Sequence, residues 1–414
     1  MSIKESRKEL AGKIIVLGLT GGVACYKAAE LCRALGKAGA EVHVAMTDGA
    51  SHFITATTMQ ALSGRPVFES AWDARAEDAM AHIGLSRGAD AIVVAPCTAG
   101  FISKLASGAC DDLLSTLCAA RLRGVPLIIA PAMNVEMWEN PANARNFKQL
   151  REDGIAIFGP AEGSQACGEV GLGRMMEPED ILQELVAYFQ PKVLAGKRVM
   201  VTAGPTFEAI DPVRGITNLS SGKMGYAIAQ AAREAGAEVV LISGPTALAC
   251  PLGVSRIDVR SAEQMLAATM ADVGRQDVFV AVAAVADWRV ANASSQKLKK
   301  NAAGDLPELI FEQNPDILAT VAEQANAMGK PYCVGFAAES ENLLEYGAAK
   351  RIRKGIPLLV GNIGQNTFGS DDNSIVLFDE DGHQEIAPAD KLALARQLIA
   401  EIGKRLGEHN LFGE

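Results

Sequence analysis

Two glycine-rich segments carry residue types suited to phosphate chemistry. Gly18-Leu19-Thr20-Gly21-Gly22-Val23-Ala24 follows an apolar run and opens a helical stretch. Backbone N–H groups at such a helix start can cradle a phosphate. The spacing is not GxGxxG, and no carboxylate ends the second strand, so the loop reads as a site for one phosphate group rather than for NAD. The second segment is Asn218-Leu219-Ser220-Ser221-Gly222-Lys223-Met224-Gly225, just before a helix expected from about Tyr226. Ser, Gly and Lys at a helix start make an anion site, but the Walker A spacing is absent. Two basic clusters, Lys297-Leu298-Lys299-Lys300 and Lys350-Arg351-Ile352-Arg353-Lys354, could screen a polyanion; taken alone they would read as solvated surface. Eight cysteines stand at 25, 32, 97, 110, 118, 167, 250 and 333 with no CxxC pair. Zinc and thioredoxin-like readings are therefore weak, and all but Cys167 read as reduced, mostly buried thiols.

The elements that must position these residues repeat. Gly12-Lys13-Ile14-Ile15-Val16-Leu17-Gly18 is followed by a Thr/Gly turn, a helical stretch and Gly39-Ala40-Glu41-Val42-His43-Val44. Gly196-Lys197-Arg198-Val199-Met200-Val201-Thr202 is followed by a Gly/Pro loop, a helical stretch and Gly236-Ala237-Glu238-Val239-Val240-Leu241. Apolar runs such as IIVLG suit strands covered on both faces, and a glycine after each helix suits a C-cap. Further strands are expected at 91–96 and 126–131, then at 278–285, 332–336 and 357–360. Strands alternating with helices predict an α/β chain with two doubly wound, Rossmann-like parallel sheets. Asn373 to Phe378, the turn Asp379-Glu380-Asp381-Gly382, and His383 to Ile386 predict a late β-hairpin. The halves divide near Pro191, giving residues 1–190 and 191–414. Ligands in such sheets sit at the carboxyl ends of the strands, which is where the unusual residues fall.

Composition bounds the classes. The chain has 414 residues, enough for two cores, with 49% hydrophobic and 21% charged residues. A net charge of −10 argues against a nucleic-acid partner. Met1 to Lys13 holds no apolar signal core, and the longest apolar run, Val278 to Ala286, is too short to span a membrane. A cytoplasmic enzyme is expected.

Five blocks in the first half, GLTGGVACYK, AMAHIGL, APCTAG, PAMNVEMW and GSQACGEVGLGRM, resemble in order those of the phosphopantothenoylcysteine decarboxylase family. The resemblance covers roughly residues 12–180 and implies a flavodoxin-like flavoprotein domain that uses FMN. Direct loss of CO₂ from a cysteine carboxylate would leave an unstabilised carbanion. The resemblance implies that FMN first takes two electrons from the thiol end. The thioaldehyde so made can hold the electrons of decarboxylation as an enethiolate, which is then protonated and reduced. It also implies roles for three residues. His82 is the base, Asn134 grips the substrate carboxylate, and Cys167 supplies the proton, with Gly168 to Arg174 as a closing flap. FMN contacts follow at Thr20, Gly21, Gly22, Thr47, Pro96 and Thr98. Two positions depart from the family pattern: Cys110-Asp111-Asp112 replaces Ala-Asn-Asp, and Gly100 replaces an Asp or Asn.

Residues 197–400 resemble the phosphopantothenate–cysteine ligase family. The resemblance rests on Ala203-Gly204-Pro205-Thr206, Asp211-Pro212-Val213-Arg214, the Asn218 segment, Ala283-Ala284-Val285-Ala286-Asp287-Trp288, Lys297-Leu298-Lys299-Lys300, Asn314-Pro315-Asp316-Ile317-Leu318, Gly335-Phe336-Ala337-Ala338-Glu339 and the Lys350–Lys354 cluster. Bacterial members use CTP. The carboxylate of 4'-phosphopantothenate attacks the α-phosphorus, pyrophosphate leaves, and the amine of cysteine opens the acyl-cytidylate. Cations must screen the triphosphate. The resemblance implies that Lys297 activates, Asn218 handles the acyl-cytidylate, and Arg214 supports the phosphopantothenate end. It places CTP on Ala283, Asp287, Lys297, Pro315, Asp316, Ile317, Leu318, Phe336, Lys350 and Lys354, with Asp287 as the candidate Mg²⁺ ligand.

Fused in this order, the two families form a known bacterial bifunctional type. That type implies a homo-oligomer with dimeric ligase domains inside a trimer-based, dodecameric assembly. The competing readings are a flavin-binding regulator without catalysis and a pair of NAD-dependent oxidoreductases.

Overall fold

The computed structural model describes residues 8–72, 80–299, 308–339, 343–363 and 372–411. Lys300, and the side chain of Glu339, lie outside the described residues. The chain divides into two compact units, Met1–Phe189 and Gln190–Glu414.

In the first unit the order is β1 (Ile14–Leu19), α1 (Cys25–Lys37), β2 (Glu41–Met46), α2 (Asp48–Ser51), α3 (Ala56–Ser63), β3 (Val67–Phe68), α4 (Ala81–Gly88), β4 (Ala91–Cys97), α5 (Ala99–Ser107) and α6 (Leu113–Ala120). There follow β5 (Leu127–Pro131), α7 (Val135–Glu139), α8 (Pro141–Glu152), β6 (Ala156–Ile157), the hairpin β7 (Ala161–Ser164) and β8 (Val170–Arg174), and α9 (Pro178–Phe189). The sheet runs β3-β2-β1-β4-β5-β6, all parallel. This is the Rossmann order, in which β1 and β4 flank the switch point where ligands bind; a flavodoxin sheet, equally doubly wound, runs 2-1-3-4-5. Every residue of β4 and β5 is buried, as strands covered by helices on both faces require.

The second unit runs β9 (Arg198–Ala203), β10 (Phe207–Asp211), β11 (Arg214–Thr217), α10 (Lys223–Glu234), β12 (Glu238–Ser243), β13 (Ser255–Asp258), α11 (Ala262–Asp272), β14 (Val278–Ala281), β15 (Trp288–Val290) and β16 (Phe311–Gln313). It continues with α12 (Ile317–Met328), β17 (Tyr332–Glu339), α13 (Leu343–Lys354), β18 (Leu358–Ile363), β19 (Asp372–Phe378), β20 (His383–Asp390) and α14 (Lys391–Leu411). Its sheet is β13-β12-β9-β14-β17-β18-β19-β20. The first six strands repeat the order of the other unit and are parallel; the last two add the expected antiparallel hairpin. Among the described residues, no helix is long and apolar enough to cross a membrane.

Two expectations need correction. The strand predicted over 278–285 stops at Ala281. From Val282 onward the backbone bonds the end of β9 and the loop after it: Val282 N–H donates to Thr202 O and Ala284 N–H to Gly204 O. An apolar run alone cannot distinguish these fates. The helix expected from Tyr226 begins earlier, at Lys223, because Gly222 takes φ +75° and turns the chain directly into it. The glycines after α1 and α10 hold the expected left-handed conformation, φ +91° at Gly39 and +93° at Gly236.

Candidate functional sites

In the first unit, the loops after β1, β2 and β4 converge. The Thr20 hydroxyl donates to Pro96 O at 2.8 Å, and Thr98 N–H donates to Thr20 Oγ1 at 3.0 Å. Thr47 N–H and its hydroxyl both donate to Leu19 O, at 3.0 and 3.3 Å. A Cβ on Gly21 would lie 2.8 Å from the backbone of Gly49, and one on Gly22 would lie 3.5 Å from Thr98. At Gly21 the loops after β1 and β2 thus approach as closely as only glycine allows, and the N–H groups there are of the kind that cradle a phosphate. All six residues expected to contact FMN meet at the carboxyl edge of the sheet.

Asn134 reaches the same edge after β5, where Ala132 N–H donates to Cys97 O at 3.0 Å. It caps α7, its Oδ1 accepting from Met137 N–H at 3.0 Å. Since only the oxygen can accept, the cap fixes the amide and leaves its NH₂ for another acceptor. His82 sits in the first turn of α4, half-buried, and its Nδ1 is buried without a partner among the described residues. A buried ring nitrogen without a partner needs a reason, and a bound group supplies one. The glycine cradle and this orphan nitrogen both fit an FMN-sized ligand with a phosphate.

The hairpin β7–β8 docks on the Asn134 turn through Gln165, which sequence reading missed. Gln165 Oε1 accepts from Val135 N–H at 2.9 Å, and its Nε2 donates to Leu172 O at 3.0 Å. Met133 N–H donates to Gly173 O at 2.9 Å, and a Cβ on Gly173, at φ +128°, would lie 2.5 Å from Met133 O. Cys167 is not brought against Asn134 or His82. It stands exposed at the hairpin tip, its thiol 3.3 Å from Glu169 Oε2. The hairpin is also tied to α1. Buried Lys27 donates to Met175 O and pairs with Glu177, both at 2.9 Å. That ammonium holds the Glu177 carboxyl below its ordinary value. The departures are benign locally: Asp111 and Asp112 both pair with Lys104 at 2.7 Å, Asp112 caps α6, and Gly100 faces open space.

In the second unit several of the expected residues fall along one run of hydrogen bonds. Asn218 Nδ2 donates to Ala284 O at 3.0 Å. Thr206 Oγ1 accepts from Ala286 N–H at 2.9 Å. Asn314 N–H donates to Asp287 O at 2.9 Å, and its Nδ2 donates to Ala286 O at 2.8 Å. Asp316 caps α12 through Oδ1, at 3.0 Å from Ala319 N, while Oδ2 pairs with Lys354. Asp287 is close enough to act on Lys354 electrostatically. Lys350 lies one turn before Lys354 on the same face of α13. Pro315 precedes Asp316, and Phe336 packs against the core from β17. Ala283 N–H donates weakly to Thr202 Oγ1 at 3.4 Å. Ile317 is buried in the core, and Leu318 is partly buried against it.

Arg214 is committed differently from its expected role. Its guanidinium pairs with Asp211 and donates to Leu298 O at 2.8 Å. Lys297 is exposed, with no partner among the described residues. Also among these, no cluster of three His, Cys, Asp or Glu side chains could hold a metal. Asp287, the expected Mg²⁺ ligand, is a single exposed carboxylate.

Residues 3–190 match the family described as Flavoprotein, and residues 194–406 match that of the DNA/pantothenate metabolism flavoprotein C-terminal domain. The chain is similar to "Coenzyme A biosynthesis bifunctional protein CoaBC" of Vibrio cholerae, 46% identical over 402 residues, 96% of this chain and 100% of the relative. The protein of the same name from Escherichia coli K12 is 47% identical over 97% of this chain and 99% of its own. That of Bacillus subtilis is 40% identical over 97% and 100%. Among solved structures, the C-terminal domain of a CoaBC is 38% identical, covering 52% of this chain and 99% of that one, TM-score 0.44. The FMN-dependent cysteine decarboxylase SpaF is 29% identical over 43% and 99%, TM-score 0.37. With both halves matched by these families and relatives 40% to 47% identical along nearly their whole length, the chain belongs to the family of bifunctional coenzyme A biosynthesis proteins.

Proposed function

We propose that residues 191–414 join 4'-phosphopantothenate to cysteine using CTP, and that residues 1–190 decarboxylate the product with FMN. The chain is a bifunctional decarboxylase and ligase of coenzyme A biosynthesis. The observation that carries the residue assignment is the series Asn218–Ala284, Asp287–Asn314 and Asp316–Lys354, which strings the ligase motifs along one sheet edge.

In the ligase half, a carboxylate oxygen of phosphopantothenate bonds to the α-phosphorus of CTP, and the bond to the leaving pyrophosphate breaks. The cysteine amine then attacks the acyl carbon, loses a proton and expels CMP. Lys297, Lys350 and Lys354 lower the repulsion between the two anions. Mg²⁺ enters with the nucleotide as part of the substrate, with Asp287 as its protein ligand. Asn218 orients the acyl-cytidylate.

In the decarboxylase half, bound FMN supplies a reversible two-electron acceptor. Thr20, Gly21, Gly22, Thr47, Pro96 and Thr98 hold it. His82 takes the thiol proton, the Asn134 NH₂ donates to the substrate carboxylate, and Cys167 returns a proton to carbon. The hairpin tip carries that thiol inward when substrate binds. Free thiols at all eight cysteines suit a reducing cytoplasm. Exposed Trp288 and Phe311 support contact between copies of the ligase unit in a homo-oligomer of dimeric ligase units, with trimeric decarboxylase units proposed from the family resemblance.

The test is a coupled assay starting from 4'-phosphopantothenate and cysteine, with each nucleoside triphosphate in turn. Pyrophosphate and then CO₂ should appear, with CTP preferred. Pyrophosphate without CO₂ would overturn the decarboxylase assignment. CO₂ from supplied phosphopantothenoylcysteine, with no pyrophosphate from any nucleotide, would overturn the ligase assignment.

A further inference from the structure

Asp211 ends β10, and its side chain is fully buried. Oδ1 accepts from Val213 N–H at 2.9 Å and Arg214 N–H at 2.8 Å, closing the turn into β11. Oδ2 accepts from Arg214 Nε at 2.9 Å, from Nη2, and from Leu298 N–H at 3.1 Å. The Arg214 guanidinium then donates to Leu298 O. Both backbone polar groups of one residue, 87 positions along the chain, are therefore held by a single ion pair. Ser294 N–H adds a second stitch, donating to Ile210 O at 3.0 Å.

A turn alone would not need this arrangement. Asparagine closes such turns with the same oxygen. The second, anionic oxygen is needed only for Arg214 and Leu298. Arg214 holds the carboxyl well below the ordinary aspartate range, so the charge persists at any physiological pH. Lys297 immediately precedes Leu298 and is exposed. A lysine is a point charge on a flexible stem, so where its ammonium can reach is set by the backbone that carries it.

We propose that Asp211 is a positioning residue for ligation. Through Arg214 and Leu298 it fixes the backbone from which Lys297 meets the triphosphate. The inference rests on reading residues 191–414 as the CTP-dependent ligase. It moves Arg214 from substrate contact into the clamp.

The experiment uses the full chain as wild type, Asp211→Asn, Lys297→Gln and the double variant. It measures pyrophosphate release from CTP and phosphopantothenate, with kcat and KM for CTP taken separately. Asp211→Asn should lower kcat about 10- to 100-fold, the scale of a misplacement near 1 Å, with a smaller change in KM. The double variant should be no slower than Lys297→Gln alone, because the clamp acts only through that lysine. Arg214→Lys keeps the charge but loses the fork, and should show the same non-additivity if Asp211→Asn fails to fold. Losses that multiply in the double variants, or a wild-type kcat in Asp211→Asn, overturn the clamp alone. A wild type inactive with every nucleotide sinks the ligase reading, and the clamp with it.

Discussion

The Thr20 hydroxyl donates to the carbonyl of Pro96 at 2.8 Å while its oxygen accepts from Thr98 N–H at 3.0 Å. One buried side chain thus joins the loop after β1 to the loop after β4, across the switch point of the sheet. Thr20→Val keeps the volume and leaves Thr98 N–H unpaired, while Pro96 O keeps the Thr20 N–H at 3.3 Å, a loss of about 1–3 kcal/mol. FMN affinity should fall by about tenfold or more, read by flavin fluorescence on titration. Ligation should be unaffected. Unchanged FMN affinity would show that the bridge does not shape the phosphate loop.

Gly173 offers a separate handle on the hairpin. Its φ of +128° and the 2.5 Å approach of Met133 O exclude any side chain. Gly173→Ala should lift the hairpin from the Asn134 turn, lowering decarboxylation at least tenfold by our estimate from such misplacement while FMN stays bound. Cys167→Ser, with the hairpin still docked, should release CO₂ about once per bound flavin and then stall before the enethiolate is protonated and reduced. Multiple-turnover product formation at the wild-type rate in both variants would remove the hairpin from the mechanism.

Asp316 has two jobs that one substitution separates. Asn is as good an N-cap as Asp, so Asp316→Asn keeps the bond to Ala319 N–H while losing the charge that pairs with Lys354. Stability should change by less than about 1 kcal/mol, since the Asp316 carboxylate that loses its charge is about half exposed. KM for CTP should shift several-fold, seen in pyrophosphate release. No shift in KM would place the pair outside the nucleotide site.

Asp211 also predicts a pH dependence. Its folded carboxyl, chiefly because of Arg214, titrates below the unfolded value of about 3.9. Such a group contributes stability in full above the unfolded value and loses it as pH falls through the folded one. The stability gap between wild type and Asp211→Asn, from urea unfolding, should therefore be constant above about pH 5 and narrow below about 3.9. A gap that widens toward acid would reverse the sign of the shift.

The strands were legible wherever apolar residues run continuously. Ile14–Leu19 and Ala91–Cys97 announce two-sided burial directly. The run from Val278 misled because the chain stays apolar past Ala281 while its backbone turns to pair with Thr202 and Gly204. Motif blocks located Asn134, Asn218 and Lys354, since each block is a contiguous stretch. Lys27, Gln165 and Asp211 were missed for the opposite reason. Each is a single polar residue, and the partner that gives it meaning lies 150, 30 or 87 positions away. No local pattern records such a pairing. Arg214 was found by motif, but the buried carboxylate beside it had not been read as its partner.

Both sheets put their first strand in the interior, with β1 between β2 and β4 and β9 between β12 and β14. On the ribosome, β1 therefore has to wait for both neighbours, and the sheet grows outward from it in two directions. Domains made this way close as units, the earlier one before the later is complete. In the functions proposed above, synthesis finishes the carbon dioxide-releasing half first, while the half that supplies its substrate is still being translated. The half that consumes the intermediate thus closes as a folded unit before the half that makes it.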